Sequence, residues 1–170
     1  MEISIERNIK ESALAINKMQ WQLFLKKYYL WVAFYAVTGT VFIVVNFNGD
    51  SFYGLAFGMG LVLFAFLHIL NLIRASEKSY DRIKMDLVKR SETDPINRIK
   101  LNDSKFIQEN RDIKVELSWN TFQSYKIYKG SIFLILSSYL DSYVLRKGDM
   151  SDSQFSEIST FIARTLPEKK

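Results

Sequence analysis

The stretch VVNFNGDSFYG, residues 44 to 54, decides the fold because it is a polar interruption between two long apolar segments. Asp50 is the only charged residue between Lys27 and Arg74. Backbone amides in lipid must bond within their own helix, so a chain reverses direction only where water reaches it. Asn, Gly, Asp and Ser are residues that favour turns. The stretch therefore predicts a hairpin tip in water between two apolar helices.

Both apolar segments are long enough to cross a membrane. Residues 28 to 49 carry no charge, and residues 51 to 73 contain only His68 as a basic side chain. About 20 helical residues, at about 1.5 Å rise each, cross a hydrocarbon core about 30 Å thick. The sequence therefore predicts a transmembrane helical hairpin over residues 28 to 73, with its turn at residues 46 to 51.

Two other interpretations of these segments are weaker. Buried helices of a soluble bundle usually have apolar runs of about 10 to 14 residues, which is shorter than either segment. A cleaved signal peptide also has a shorter apolar stretch, and no small-residue cleavage site is evident before the second segment begins. The hairpin remains the better interpretation.

Basic residues predict which side of the membrane holds the chain ends. They flank the hairpin and are absent from its tip, so the positive-inside rule places both termini in the cytoplasm. The flanking residues are Lys18, Lys26 and Lys27 before the first span and Arg74, Lys78, Arg82 and Lys84 after the second.

Three residues of the second span raise separate questions. Gly54 and Gly58 form a GxxxG pattern, which favours close packing of helices, either within the hairpin or between copies of the chain in a homo-oligomer. His68 lies six residues, less than two helical turns, from Arg74, with no second ionisable partner in either span. This favours an interfacial histidine bonded to a carbonyl over a proton relay. Whether His68 has a further role is left open.

The flanks predict the remaining organisation. Residues 1 to 27 read as a cytoplasmic strand and helix, residues 74 to 94 as a charged cytoplasmic helix ended before Pro95, and residues 95 to 170 as a β domain. In MEISIER the side chains of Ile3 and Ile5 alternate with polar ones, as in a half-buried strand. We expect that strand to pair with the sheet of the β domain.

The β domain shows strand patterns followed by one helix. DIKVELSW alternates apolar and polar residues, Lys129 and Gly130 mark a hairpin turn, and SIFLILS fits a strand buried on both faces. Ser151 and Gln154 form a capping box before the last helix. The predicted fold class is membrane α+β, a two-helix transmembrane hairpin with a small antiparallel sheet or half-barrel, and we expect one sheet covered by one C-terminal helix.

This order of elements resembles the YcxB-like family of bacterial membrane proteins, whose cytoplasmic part is similar to pleckstrin-homology-like domains. The resemblance covers nearly the whole chain and is most specific in VELSWNTFQSYKIYKGSIFLIL and YVLRKGDMSDSQFSEI. Where the family tends to have an Ile-Pro-Lys-Arg strand end, this chain has Arg146 in place of the proline and Gly148 in place of the arginine. The resemblance implies a multi-pass protein of the bacterial cytoplasmic (inner) membrane, and it assigns no catalytic residues.

The sequence contains few residues or motifs that are typical of an enzyme active site. It has no cysteine and one histidine, and it lacks a phosphate-binding glycine loop and an HExxH motif. Asp141, Asp149 and Asp152 fall at a turn and a helix start, where aspartate is expected for local backbone reasons. We therefore predict a non-enzymatic protein without catalytic residues, metal or cofactor.

Binding is the better functional class. Residues 74 to 170 hold 18 basic and 14 acidic residues, and four cations at strand ends are candidates for binding membrane lipids or a protein partner: Lys126, Lys129, Arg146 and Lys147. A solvated basic face that only enforces topology is an equal alternative. Binding of nucleic acid is not expected, because no aromatic-basic RNA motif is present.

The predicted function is a membrane-anchored, cytoplasm-facing binding module. The alternative is an immunity or self-protection protein against a membrane-active peptide or toxin, since small bacterial membrane proteins with similar domains include such cases. A channel is disfavoured by the lack of a polar pathway within the spans.

Overall fold

The structure is a computed structural model of the 170-residue chain. It describes residues 2–47, 49, 51–90, 96–111 and 113–169. The predicted tip residue Asp50 and the predicted helix stop at Pro95 lie outside the described residues. The chain divides into two compact units, one formed by Met1–Gln20 with Arg82–Lys170 and the other by Trp21–Asp81.

Two long helices form the hairpin. Helix α1 spans Ile9–Phe47 and helix α2 spans Phe52–Arg90, so each has 39 residues. Both are long and apolar enough to cross a membrane, and only 11% of the most apolar window of each is buried. The core helix of a soluble protein is mostly buried, so this exposure disfavours the soluble-bundle interpretation. Large apolar side chains that are more than half exposed include Leu30, Phe34, Val45, Phe57 and Leu63.

Glycine residues bring the two helices of the hairpin together. A Cβ atom on Gly58 would lie 2.7 Å from the carbonyl oxygen of Gly39, and a Cβ on Gly39 would lie 2.7 Å from that of Gly58. Both distances are too short for real atoms, so only glycine permits this backbone approach. Around the contact, aromatic rings of the two helices meet edge to face, with centroids 5.2 Å apart for Phe42 and Phe57.

The unit formed by Met1–Gln20 and Arg82–Lys170 contains two antiparallel sheets. The first has the order β1–β2–β3–β4, formed by Glu2–Asn8, Ile96–Asn102, Lys105–Glu109 and Lys114–Ser118. The second has the order β5–β6–β7, formed by Ser124–Tyr128, Ser131–Ile135 and Ser142–Arg146. The expected single sheet was therefore wrong. The short 3-10 turn Trp119–Thr121 separates β4 from β5, and the buried Trp119 belongs to that turn rather than to a strand.

Strand β1 pairs with β2, which confirms the expected role of the amino-terminal strand. In this antiparallel register Ile3 lies opposite Leu101, and Ile5 lies opposite Ile99. All four side chains are buried, while Ser4 is exposed. The two long helices are thus inserted in the sequence between two neighbouring strands of one sheet.

One helix covers the core of this unit. Helix α3, Asp152–Thr165, begins with the predicted capping box of Ser151 and Gln154 and buries Ile158 and Ile162. All five residues of β6 are buried, as its apolar sequence predicted. The core also contains an aromatic cluster of Phe106, Trp119, Phe122 and Tyr143.

The glycine contact yields a test of the hairpin. Gly58→Ala places a methyl group against backbone atoms of α1, so we expect a loss of about 1 to 3 kcal/mol in the free energy of unfolding. Gly60→Ala is the matched control, because nothing lies within 4 Å of a Cβ there. It should stabilise by up to about 1 kcal/mol through helix propensity. Denaturation of the full-length protein in detergent measures both, and equal effects would contradict the contact.

Candidate anion-binding site

A two-residue turn presents a lysine beside the end of β7. Tyr128 pairs with Ser131, so Lys129 and Gly130 alone connect β5 to β6. Their φ angles are 48° and 67°, the left-handed conformation of a type I′ turn. The first position of such turns favours Asn, Asp or Gly, and another residue there, such as lysine, costs about 1 to 2 kcal/mol. The carbonyl of Gly130 accepts a 2.8 Å hydrogen bond from the amide of Lys147, which joins this turn to the end of β7.

The two chain segments joined by that bond line an open cleft of about 650 Å³. Its lining includes Met19, Lys129, Ser131, Arg146, Lys147 and Asp152. Three of the four cations predicted from the sequence therefore converge at one site. Lys126 does not belong to it, and its ammonium group instead donates to the carbonyl of Lys169 at 2.9 Å.

The cations of the cleft have polar or aromatic neighbours. The Nζ atom of Lys147 lies 3.0 Å from Oδ1 of Asp152, and Nε of Arg146 lies 3.8 Å from Oδ1 of Asp149. The ammonium of Lys129 lies 5.4 Å from the ring centroid of Tyr128. Among the described residues that line the cleft, three are cations and one, Asp152, is a carboxylate. The surplus positive charge of the cleft suits an anionic ligand.

A serine adds a hydrogen-bond donor to the cleft. Ser131 is 2% exposed, and its hydroxyl donates to the thioether sulfur of Met19 at 3.7 Å. A thioether is a weak acceptor. A phosphate or carboxylate oxygen would be a stronger acceptor for this hydroxyl.

A buried ion pair fixes the short 3-10 turn Lys147–Asp149, which follows β7 and carries Lys147. Nε of Arg7 donates to Oδ2 of Asp149 at 2.8 Å, and the two side chains are only 8% and 9% exposed. The guanidinium also donates to the carbonyl of Val144. Burial lowers the pKa of Arg7 from its usual value, the carboxylate of Asp149 opposes that change, and the neighbouring charge of Arg146 adds to it.

Sequence reasoning missed this pair, although a signal was present. The alternation that placed Ile3 and Ile5 on the buried face places Arg7 on that face too. A buried arginine needs a carboxylate or carbonyl partner. Asp149 was interpreted only as a turn residue, and nothing local in the sequence links it to Arg7.

The other predicted residues lie in the hairpin. Gly54 and Gly58 both face α1, with Asn46 and Gly39 as their nearest neighbours across the hairpin. The ring of His68 stacks on Phe64 with centroids 6.1 Å apart and lies 6.5 Å from the ring of Tyr28. These contacts pack the hairpin.

Comparisons with models of known protein families, with curated proteins and with solved structures give no match. The resemblance to the YcxB-like family therefore stays a prediction. The functional argument depends on the geometry of the chain itself.

The buried ion pair yields a stability test. Asp149→Asn leaves the guanidinium of Arg7 buried without its counter-charge, so we expect a loss of about 3 kcal/mol in the free energy of unfolding. Glu6→Gln breaks the pair with Arg98, which has the same type of geometry at 3.0 Å but side chains 55% and 62% exposed. It should cost less than about 1 kcal/mol.

Chemical denaturation of the full-length protein in detergent measures both variants. The double variant Arg7→Met with Asp149→Leu should recover much of the loss, because it removes both buried charges. A loss for Asp149→Asn no larger than that for Glu6→Gln would contradict a structural role of the buried pair.

Proposed function

We propose that this chain is a non-enzymatic, membrane-anchored binding protein. Its helical hairpin crosses the bilayer, and its β unit lies in the cytoplasm and binds the anionic headgroup of a membrane lipid at the basic cleft. The observation that carries the lipid part is the convergence of Lys129, Arg146 and Lys147 on one cleft.

The exposed apolar surface of the hairpin supports the membrane part. Rings and aliphatic chains such as Leu30, at 72% exposure, and Val45, at 70%, have no cover within the described part of the chain. Leaving apolar area in water costs about 25 cal/mol per Å². Surfaces of this kind mark interaction sites, and both helices are long enough to cross a hydrocarbon core.

The arrangement of the β unit supports the predicted family. Two small antiparallel sheets and a single helix after the last strand fit the pleckstrin-homology-like part of the resemblance to YcxB-like proteins. With that resemblance, the proposed location is the bacterial cytoplasmic membrane. An immunity protein, a protein partner and a homo-oligomer stay predictions, because no described contact favours one of them.

The chemistry of the cleft supports an anion. A cation near an anionic leaflet gains about 1 kcal/mol, so three cations in one place give a local attraction that a dispersed basic face does not. The joined turns at Gly130 and Lys147 hold the cations on defined backbone positions. The fixed backbone positions of these cations distinguish a binding site from a solvated basic surface.

Cysteine labelling tests the membrane topology, because the native chain has no cysteine. In whole cells a membrane-impermeant maleimide should label Ser51→Cys, in the predicted tip. It should label Ser104→Cys, in the exposed turn after β2, only after the cells are permeabilised. Labelling of Ser104→Cys in intact cells, or protection of Ser51→Cys, would show that the proposed topology is wrong.

Removal of cleft charges tests the lipid site. The full-length protein in neutral detergent should bind short-chain phosphatidylglycerol more tightly than phosphatidylcholine, as measured by native mass spectrometry. The double variant Lys129→Gln with Lys147→Gln should weaken phosphatidylglycerol binding about 30-fold, at about 1 kcal/mol for each charge.

The matched control is Lys105→Gln with Lys114→Gln, which removes two exposed lysines that pair with Glu116 outside the cleft. It loses the same net charge and should change the affinity less than about twofold. Equal losses in both double variants would indicate dispersed attraction and no cleft site. Equal binding of the two lipids by the native protein would remove the lipid proposal.

A further inference from the structure

The cleft contains a negative charge of its own. Asp152 lines it together with Lys129, Arg146 and Lys147, and its carboxylate lies 3.0 Å from the Lys147 ammonium. An anion that enters the cleft must share Lys147 with that carboxylate or displace it. The position of Asp152 therefore bears directly on how the site binds.

The Lys147–Asp152 pair is much more exposed than the neighbouring Arg7–Asp149 pair. Arg7 and Asp149 have side chains 8% and 9% exposed, and breaking such a pair leaves a charge without water. Lys147 and Asp152 have side chains 52% and 85% exposed. Water can replace either partner of this exposed pair, so the Lys147–Asp152 pair, here called the outer pair, opens readily. The Arg7–Asp149 pair, the inner pair, holds the turn.

The backbone on both sides of the outer pair is fixed. The amide of Lys147 donates to Gly130, and Ser151 caps helix α3 with a reciprocal bond to Gln154. Only the side chains of Lys147 and Asp152 need to rotate when the pair opens. Displacement of Asp152 is thus a local exchange that leaves the strands and the helix in place.

We propose that Asp152 is an internal counter-ion of the basic cleft, held by Lys147 until the phosphate of a lipid headgroup takes its place. This inference rests on the proposed lipid function and adds a residue that sets affinity. Without the carboxylate of Asp152, small anions from solution would neutralise Lys147, and they would leave when a headgroup binds. With Asp152 present, binding releases a carboxylate that stays attached to the protein.

The exchange has a signature in salt dependence. Release of mobile ions makes the logarithm of the binding constant fall linearly with the logarithm of salt concentration, with a slope that grows with the number of ions released. Release of a tethered carboxylate adds nothing to that slope. The native protein should therefore show a shallower salt dependence than a variant without the Asp152 charge.

Native mass spectrometry of the full-length protein with short-chain phosphatidylglycerol, over a range of ammonium acetate concentrations, tests this. Asp152→Asn should raise the affinity about two- to fivefold, as expected for removal of an exposed pair, and should steepen the salt slope. Asp152→Glu keeps a carboxylate and should stay close to the native protein. Destabilisation of α3 would lower the affinity, so the expected gain is not an effect of damage.

The matched control is Glu157→Gln, which makes the same change in net charge on helix α3 but lies outside the cleft lining. It should change neither the affinity nor the slope beyond the error. If Asp152→Asn behaves like Glu157→Gln while the native protein still prefers phosphatidylglycerol to phosphatidylcholine, the counter-ion role alone is wrong. If the native protein shows no such preference, the lipid function and the counter-ion role are both wrong.

Discussion

The antiparallel pairing of β1 with β2 is the interaction on which the rest of the structure depends. It joins residues more than 90 positions apart, such as Glu6 and Arg98, and both long helices lie within the loop that it closes. The start of α1 and the end of α2 consequently belong to the same unit. For a hairpin in a bilayer, this pairing requires an even number of crossings, since both helix ends must return to one side. The same strand carries Arg7, so one pairing also sets the ion pair that supports the cleft.

Differences in burial give two similar ion pairs opposite roles. Arg7 with Asp149 and Lys147 with Asp152 are both close contacts at the carboxyl end of β7, at 2.8 Å and 3.0 Å. In the first, low exposure makes loss of either partner costly, and this keeps the turn in one conformation. In the second, solvent screens the charges and offers each of them an alternative partner. The inner pair therefore provides rigidity, and the outer pair provides the position at which the proposed exchange of one anion for another would occur.

The sequence predicted those features that depend on local periodicity. The apolar lengths of the helices, the alternation around Ile3 and Ile5, the turn at Lys129 and Gly130 and the capping box at Ser151 are all properties of a few neighbouring residues. The division into two sheets was missed because Trp119 continues the alternation of β4 in sequence but turns into the core in space. The pair of Lys147 with Asp152 is local, and it was missed because Asp152 was interpreted only as a helix-start residue. The pair of Arg7 with Asp149 was missed for a reason related to that for the two sheets. Periodicity indicates which face a side chain lies on, and it does not identify the partner that a distant strand brings to it.

The proposed membrane anchor explains why weak individual charges would suffice for the proposed site. A ligand in dilute solution would gain little from cations that are partly neutralised by their own carboxylates. In the proposed function, the site is joined to a membrane span and would meet headgroups in an effectively intramolecular encounter, for which local concentrations reach the millimolar range without any additional contact. Lys129 adopts a left-handed conformation in which Asn, Asp or Gly would make the turn more stable. The lysine instead adds a cation to the cleft, at a cost in the stability of the turn. The proposed internal counter-ion would then keep binding reversible, because the proposed anchor supplies the proximity that higher affinity would otherwise have to provide.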